Sequence, residues 1–159
     1  MRSRFMKKVL FAGAIAMAAF CEGGTAQVKE QALWSENFTQ AKAEAAAKKV
    51  PVLILFSGSD WCPPCQMLDQ SVFRKKEFAD FASSGKVVLF HADFPRNKAQ
   101  TDELKKQNRQ LMQTYNIDGV PTVVLIDASG KEFARTGYRP GGAAKYVSHL
   151  EELLKKAPK

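Results

Sequence analysis

Two cysteines stand close together in the octet Ser59 to Gln66, "SDWCPPCQ": Cys62 and Cys65, separated by Pro63 and Pro64 and preceded by Asp60 and Trp61. Thiols at this spacing can supply half of a metal site, close a small structural disulfide, or take and give electrons as a dithiol. A zinc site needs four ligands, and the pair supplies two. The only histidines, His91 and His149, fall on a strand and a helix by pattern, without ligand spacing, and read as core-edge or surface side chains. A structural disulfide here closes a tiny loop and constrains the unfolded chain little. The residues alone leave all three readings open, and the surrounding elements weigh between them.

Ahead of the octet, "VPVLILFSG" is a continuous apolar run ended by Gly58, the signature of a strand buried on both faces. After it, "QMLDQSVF" and "KKEFADFASSG" carry Met67, Leu68, Phe78 and Phe81 at helical spacing, with Gly85 as a stop. The cysteines therefore sit at a strand-to-helix turn. Pro63 and Pro64 fit the first helical positions, where a missing N–H costs little. Cys62 is then at a helix N-terminus and at an exposed edge. Orphan N–H groups and the helix dipole favour a thiolate there, the form that attacks disulfides. Cys65, one turn deeper, can attack the resulting mixed disulfide and release the product. That context favours the redox reading.

The remaining elements follow the same logic. "SENFTQAKAEAAAKK" predicts a helix with Ser35 as N-cap. "KVVLFHADF" is a second buried strand. "NKAQTDELKKQNRQLMQTY" is a helix with Leu104, Leu111, Met112 and Tyr115 on one stripe. "TVVLIDASGKEFARTGY" reads as strand, turn at Ala128 to Gly130, strand, and "GGAAKYVSHLEELLKKA" as a helix with Tyr146, Val147, Leu150, Leu153 and Leu154 inward. The order α-β-α-β-α-β-β-α predicts an α/β fold: one mixed central sheet, a parallel crossover, an antiparallel hairpin at one edge, and helices on both faces.

The chain has 159 residues, enough for one domain with its own core. Arg2, Arg4, Lys7 and Lys8 precede the apolar run Val9 to Phe20, which at 12 residues is shorter than the roughly 20 a bilayer span needs. With small residues at Gly24 and Ala26, residues 1–26 read as a signal peptide cut before Gln27, leaving a domain over 27–159. Lipid attachment at Cys21 is disfavoured by the bulky Phe20 before it. Cleavage takes the formal charge from +8 to +5, the segment holding four positive side chains and one negative. It leaves Cys62 and Cys65 as the only cysteines, a pair that an exported protein is expected to oxidise. The short basic runs Arg74–Lys76 and Lys105–Lys106 have no interleaved aromatic residues, so no nucleic-acid partner is expected.

"FSGSDWCPPCQ" together with "DGVPTVVLIDASGKE" resembles the thioredoxin superfamily, and in particular its exported thioredoxin-like members and the C-terminal domain of the membrane thiol-disulfide interchange protein, from about Trp34 to the C-terminus. The resemblance implies that Cys62 is the nucleophile and Cys65 the resolving thiol. It implies that Trp61 borders the substrate groove, and that Val120–Pro121 is a cis peptide bond beside the sulfurs, where an extended substrate chain pairs with the Val120 backbone. It implies neither a cofactor nor a metal. One departure stands out. Many thioredoxins carry a buried aspartate on the strand before the cysteines, a proton acceptor for the second thiol, and that place falls here on Leu55 or Phe56. Water, Asp60 on the loop, or a group not identified from sequence must then take the Cys65 proton.

The dipeptide bears on direction. Pro63 and Pro64 have no N–H to solvate a thiolate, Asp60 adds a negative charge, and no histidine lies between the cysteines. All three are redox-tuning features that destabilise the thiolate and favour a reducing or intermediate potential. The expected protein is a monomeric, periplasmic-type reductase of exported protein disulfides, recharged by a membrane electron donor. The alternatives are a net oxidase or isomerase, and a binding module with an idle disulfide, which the exposed setting of Cys62 disfavours.

Overall fold

A computed structural model describes residues 33–158. The expected signal peptide, its cut before Gln27 and Cys21 lie outside the described residues. The strands are β1 (Trp34–Ser35), β2 (Val52–Ser57), β3 (Val88–Asp93), β4 (Thr122–Ile126) and β5 (Glu132–Gly137), and the α-helices are α1 (Phe38–Lys48), α2 (Pro63–Leu68), α3 (Lys76–Ser83), α4 (Asp102–Thr114) and α5 (Gly142–Leu154). They form the expected mixed sheet, in the order β1-β3-β2-β4-β5, with β2 parallel to β3 and antiparallel to β4, and β5 antiparallel to β4 at the edge. This is the architecture that the element order and the resemblance imply.

The continuous apolar run of β2 is explained by its central place. Val52, Ile54 and Phe56 face α1 and α4, in a core with Ala41, Ala45, Leu111 and Tyr115. Leu53 and Leu55 face the other way, toward α2, α3 and α5, packing with Leu68, Phe78, Tyr146 and Leu150. The two-residue alternation of a strand makes this split. It also decides which side chains of β3 share a face with the cysteines. Leu89, His91 and Asp93 pair in register with Leu53, Leu55 and Ser57 and lie on the α2 side.

Four details differ from expectation. Trp34 and Ser35 form a short strand against Leu89 and Phe90, so Ser35 cannot cap the first helix. Asn37 does so instead, its side chain accepting from the Gln40 N–H at 3.0 Å. Ser35 in turn bonds both the N–H and the C=O of Asn37. The helix after the cysteines does not continue as α: at Asp69–Phe73 it widens into a π turn, and the Ser71 hydroxyl donates back to the Met67 carbonyl at 2.6 Å. Met67, expected inward with Leu68, is 50% exposed, while Leu68 is fully buried. On α4 the buried stripe includes a residue that periodicity of apolar positions does not flag, Asn108, whose amide donates to the Asp93 carbonyl at 2.9 Å.

Candidate active site

Gly58 ends β2 and the chain turns sharply into α2. The Cys62 N–H donates to the Gly58 carbonyl at 3.0 Å, which sets Cys62 in extended backbone as the N-cap of α2, with Pro63 and Pro64 at the first two helical positions. An N-cap side chain accepts from the N–H of the second or third helical residue. Pro64 has none, so the single donor is the Cys65 N–H, 3.3 Å from Cys62 Sγ. Cys62 and Cys65 are joined as a disulfide with Cα atoms 5.2 Å apart. The Val120 carbonyl oxygen lies 3.6 Å from Cys62 Sγ, and Val120–Pro121 is cis. The structure thus brings Cys62, Cys65, Val120 and Pro121 together.

The exposed setting expected for Cys62 is not found. In the disulfide form Cys62 is 4% exposed and Cys65 6%. The turn that carries them is pinned to Asp93 at the end of β3 and to the segment after it. The Trp61 indole N–H donates to the Phe94 carbonyl at 2.7 Å, and the Arg96 guanidinium stacks on the ring at 4.0 Å from its centroid. The indole lies directly on the Gly58 Cα, where a Cβ would overlap it. The Ser59 N–H and hydroxyl both donate to the Asp93 carboxylate, at 2.9 and 2.6 Å.

Asp60, read from sequence as a free charge and as one acceptor for the Cys65 proton, is occupied. Its carboxylate accepts the backbone N–H groups of Arg96 at 2.9 Å and Asn97 at 2.6 Å. Arg96 foremost, then Asn97, holds its pKa below the ordinary carboxylate value. A carboxylate so engaged is a poor proton acceptor, and it helps to fasten the turn. Leu55 and Phe56, at the place where many thioredoxins carry a buried aspartate, are buried apolar residues on opposite sheet faces.

Below Cys65 a cleft of about 760 Å³ opens on the α2 side of the sheet, and Ser57, His91 and Asp93 line it together with Cys65. Sequence reasoning passed over this group. His91 and Asp93 alternate with Leu89 on a strand otherwise continuous in apolar residues, and that break was the available signal. The other histidine, His149 on α5, bonds the Thr136 hydroxyl at 3.0 Å.

Comparison with known proteins agrees with this geometry. The family model for a thioredoxin-like domain matches residues 38–153. The disulfide bond reductase DsbH of Chlamydia pneumoniae is 35% identical over 120 residues, covering 76% of this chain and 72% of that protein. The thiol:disulfide interchange protein DsbD of Actinobacillus pleuropneumoniae is 34% identical, but this chain spans only 18% of its length. Among solved structures, a DsbH oxidoreductase superposes with a TM-score of 0.73 at 34% identity, over 78% of this chain and 85% of the other. The reduced C-terminal domain of DsbD from Neisseria meningitidis shares the fold, with a TM-score of 0.51 at 20% identity over 72% of this chain and 92% of that domain.

Proposed function

Since the chain belongs to the thioredoxin-like family and is a thiol-disulfide oxidoreductase, we propose that it works as a reductase of protein disulfides, with Cys62 as nucleophile and Cys65 as resolving thiol. The Cys62 thiolate attacks a substrate disulfide, forming a Cys62–substrate disulfide and releasing one substrate thiolate. The Cys65 thiolate then attacks Cys62 Sγ, the intramolecular disulfide forms, and the second substrate thiolate leaves. Two electrons pass from the dithiol to the substrate, and both substrate sulfurs take up protons. The observation that carries the direction is the poverty of donors at Cys62: one N–H reaches its sulfur, and the prolines remove the others. A thiolate so weakly held makes the reduced form a ready donor.

Trp61 and the Val120–Pro121 backbone flank the sulfurs and form the ledge on which an extended substrate chain would lie. The basic and apolar start of the sequence, residues 1–26, supports export with cleavage before Gln27, and hence action on exported proteins with recharging by a membrane electron donor. A monomer suffices for this chemistry, and no nucleic acid enters it.

The test is reduction of insulin driven by a chemical reductant. Cys62→Ser should abolish turnover and keep the fold, because serine also caps a helix well. Cys65→Ala should instead accumulate mixed disulfides with substrate. Turnover retained in Cys62→Ser would overturn the roles.

A further inference from the structure

Resolution needs Cys65 as a thiolate, yet Cys65 is 6% exposed and burial disfavours the charged form. Its proton must pass to something within the cleft it lines. The carboxylates there are engaged or remote. Asp93 accepts two hydrogen bonds from Ser59, Asp69 accepts the Arg74 guanidinium at 2.7 Å, and Glu36 sits at the exposed rim. Of the cations facing the cleft, Arg74 is taken by Asp69, and Lys98 donates to the Ser59 hydroxyl at 3.2 Å. The remaining titratable group is His91.

We propose that His91, through the hydroxyl of Ser57, is the proton acceptor for Cys65 during resolution, with Asp93 balancing the charge that forms. Building on the reductase chemistry above, this adds a relay from the strand next to the one that leads into the cysteines. His91 Nε2 lies 2.6 Å from Ser57 Oγ, and that oxygen lies 3.5 Å from Asp93 Oδ1. Register explains the grouping: His91 and Asp93 are the β3 partners of Leu55 and Ser57, on the face that α2 covers. The cleft has room and polar partners for water to link the Cys65 thiol to the hydroxyl. The Cys65 S–H bond breaks as the imidazole gains a proton, and the S–S bond to Cys62 forms as the substrate thiolate leaves and takes that proton. Burial above all keeps the His91 pKa below its ordinary value, against the pull of Asp93, Glu36 and Asp69 and with a push from Lys98. The ring is therefore neutral and able to accept at neutral pH.

The reduced protein can be mixed with an aromatic disulfide reagent that releases a coloured thiolate twice, first when Cys62 attacks and again when Cys65 resolves. The first phase depends on reagent concentration and the second does not. In the wild type the second phase should stay flat above about pH 7 and fall only below the ordinary imidazole value of 6.5. His91→Gln should slow it at least about ten-fold near pH 7, leave the first phase within about two-fold, and approach the wild type only as pH rises past the free-thiol value of about 8.5, above which burial holds the Cys65 thiol. Ser57→Ala should shift it in the same direction by less, and Glu36→Gln, which removes one of the charges that raise the His91 pKa, should leave its rate above about pH 7 unchanged. A wild-type second phase that climbs about ten-fold per pH unit toward the thiol range would overturn the relay. So would a His91→Gln loss that is equal at every pH. The wild-type profile decides the matter even if His91→Gln fails to fold. Absence of the first phase would instead defeat the role of Cys62 and the reductase reading beneath it.

Discussion

At the Cys62 sulfur two backbone groups act in opposite directions. The Cys65 N–H, 3.3 Å away, favours a thiolate, and the Val120 carbonyl, 3.6 Å away, favours a protonated thiol. The prolines leave this balance without further donors. Pro64 is exposed at the second helical position, so histidine fits there without repacking and adds both an N–H and a titratable cation. Pro64→His should therefore lower the Cys62 pKa. Each unit of lowering is worth about 1.36 kcal/mol, or about 30 mV in potential for a two-electron couple, toward the oxidising side. Thiolate absorbance against pH, together with a redox titration of the same variant, checks both, and an unchanged pKa would mean that the dipeptide does not set it. The cysteines, the prolines and Trp61 were legible because their chemistry is written in residue type and short spacing. The engagement of Asp60 was not, since it depends on amides some 36 residues away.

The turn between β2 and α2 holds its shape through contacts to the segment after β3, and Gly58 is where that arrangement is least tolerant. A Cβ there would overlap the indole of Trp61, which the Phe94 carbonyl and Arg96 hold in place. Gly58→Ala should destabilise the fold by about 1–3 kcal/mol, as overpacking does, and should slow substrate reduction by displacing Trp61. In a Trp61→Ala background the same substitution should cost much less, because the obstacle is gone; urea unfolding of the four proteins measures the coupling. Equal costs in both backgrounds would show that the indole is not what excludes a side chain. Strand and helix identities came through in sequence because β2, β3 and β4 are long apolar runs and the helices keep their period. The π turn at Asp69–Phe73 and the two-residue β1 did not. The first keeps helical composition while changing only its hydrogen bonds, and the second is too short to show alternation.

Over the whole molecule, both described histidines bind a proton less readily than free imidazole, chiefly through burial. The unfolded chain thus takes up more protons as pH falls through about 6.5, and stability declines on acidification in that window. Asp60 acts lower: its folded pKa lies below 3.8, so its contribution is present above that value and lost as pH falls through the folded one. Urea midpoints measured on either side of about pH 6.5 should fall on the acid side. His91→Gln should flatten the slope, and a midpoint that rises on acidification would contradict the buried neutral ring. The layered α/β architecture was readable from element order alone, whereas the meeting of His91, Ser57 and Asp93 beneath Cys65 required the register between β2 and β3. Whether this dithiol donates electrons is measured by equilibrating the protein with glutathione buffers of defined ratio. A potential near the thioredoxin end, at about −270 mV, is expected; a value near the strong-oxidant end, at about −120 mV, would mean that the dithiol accepts electrons instead.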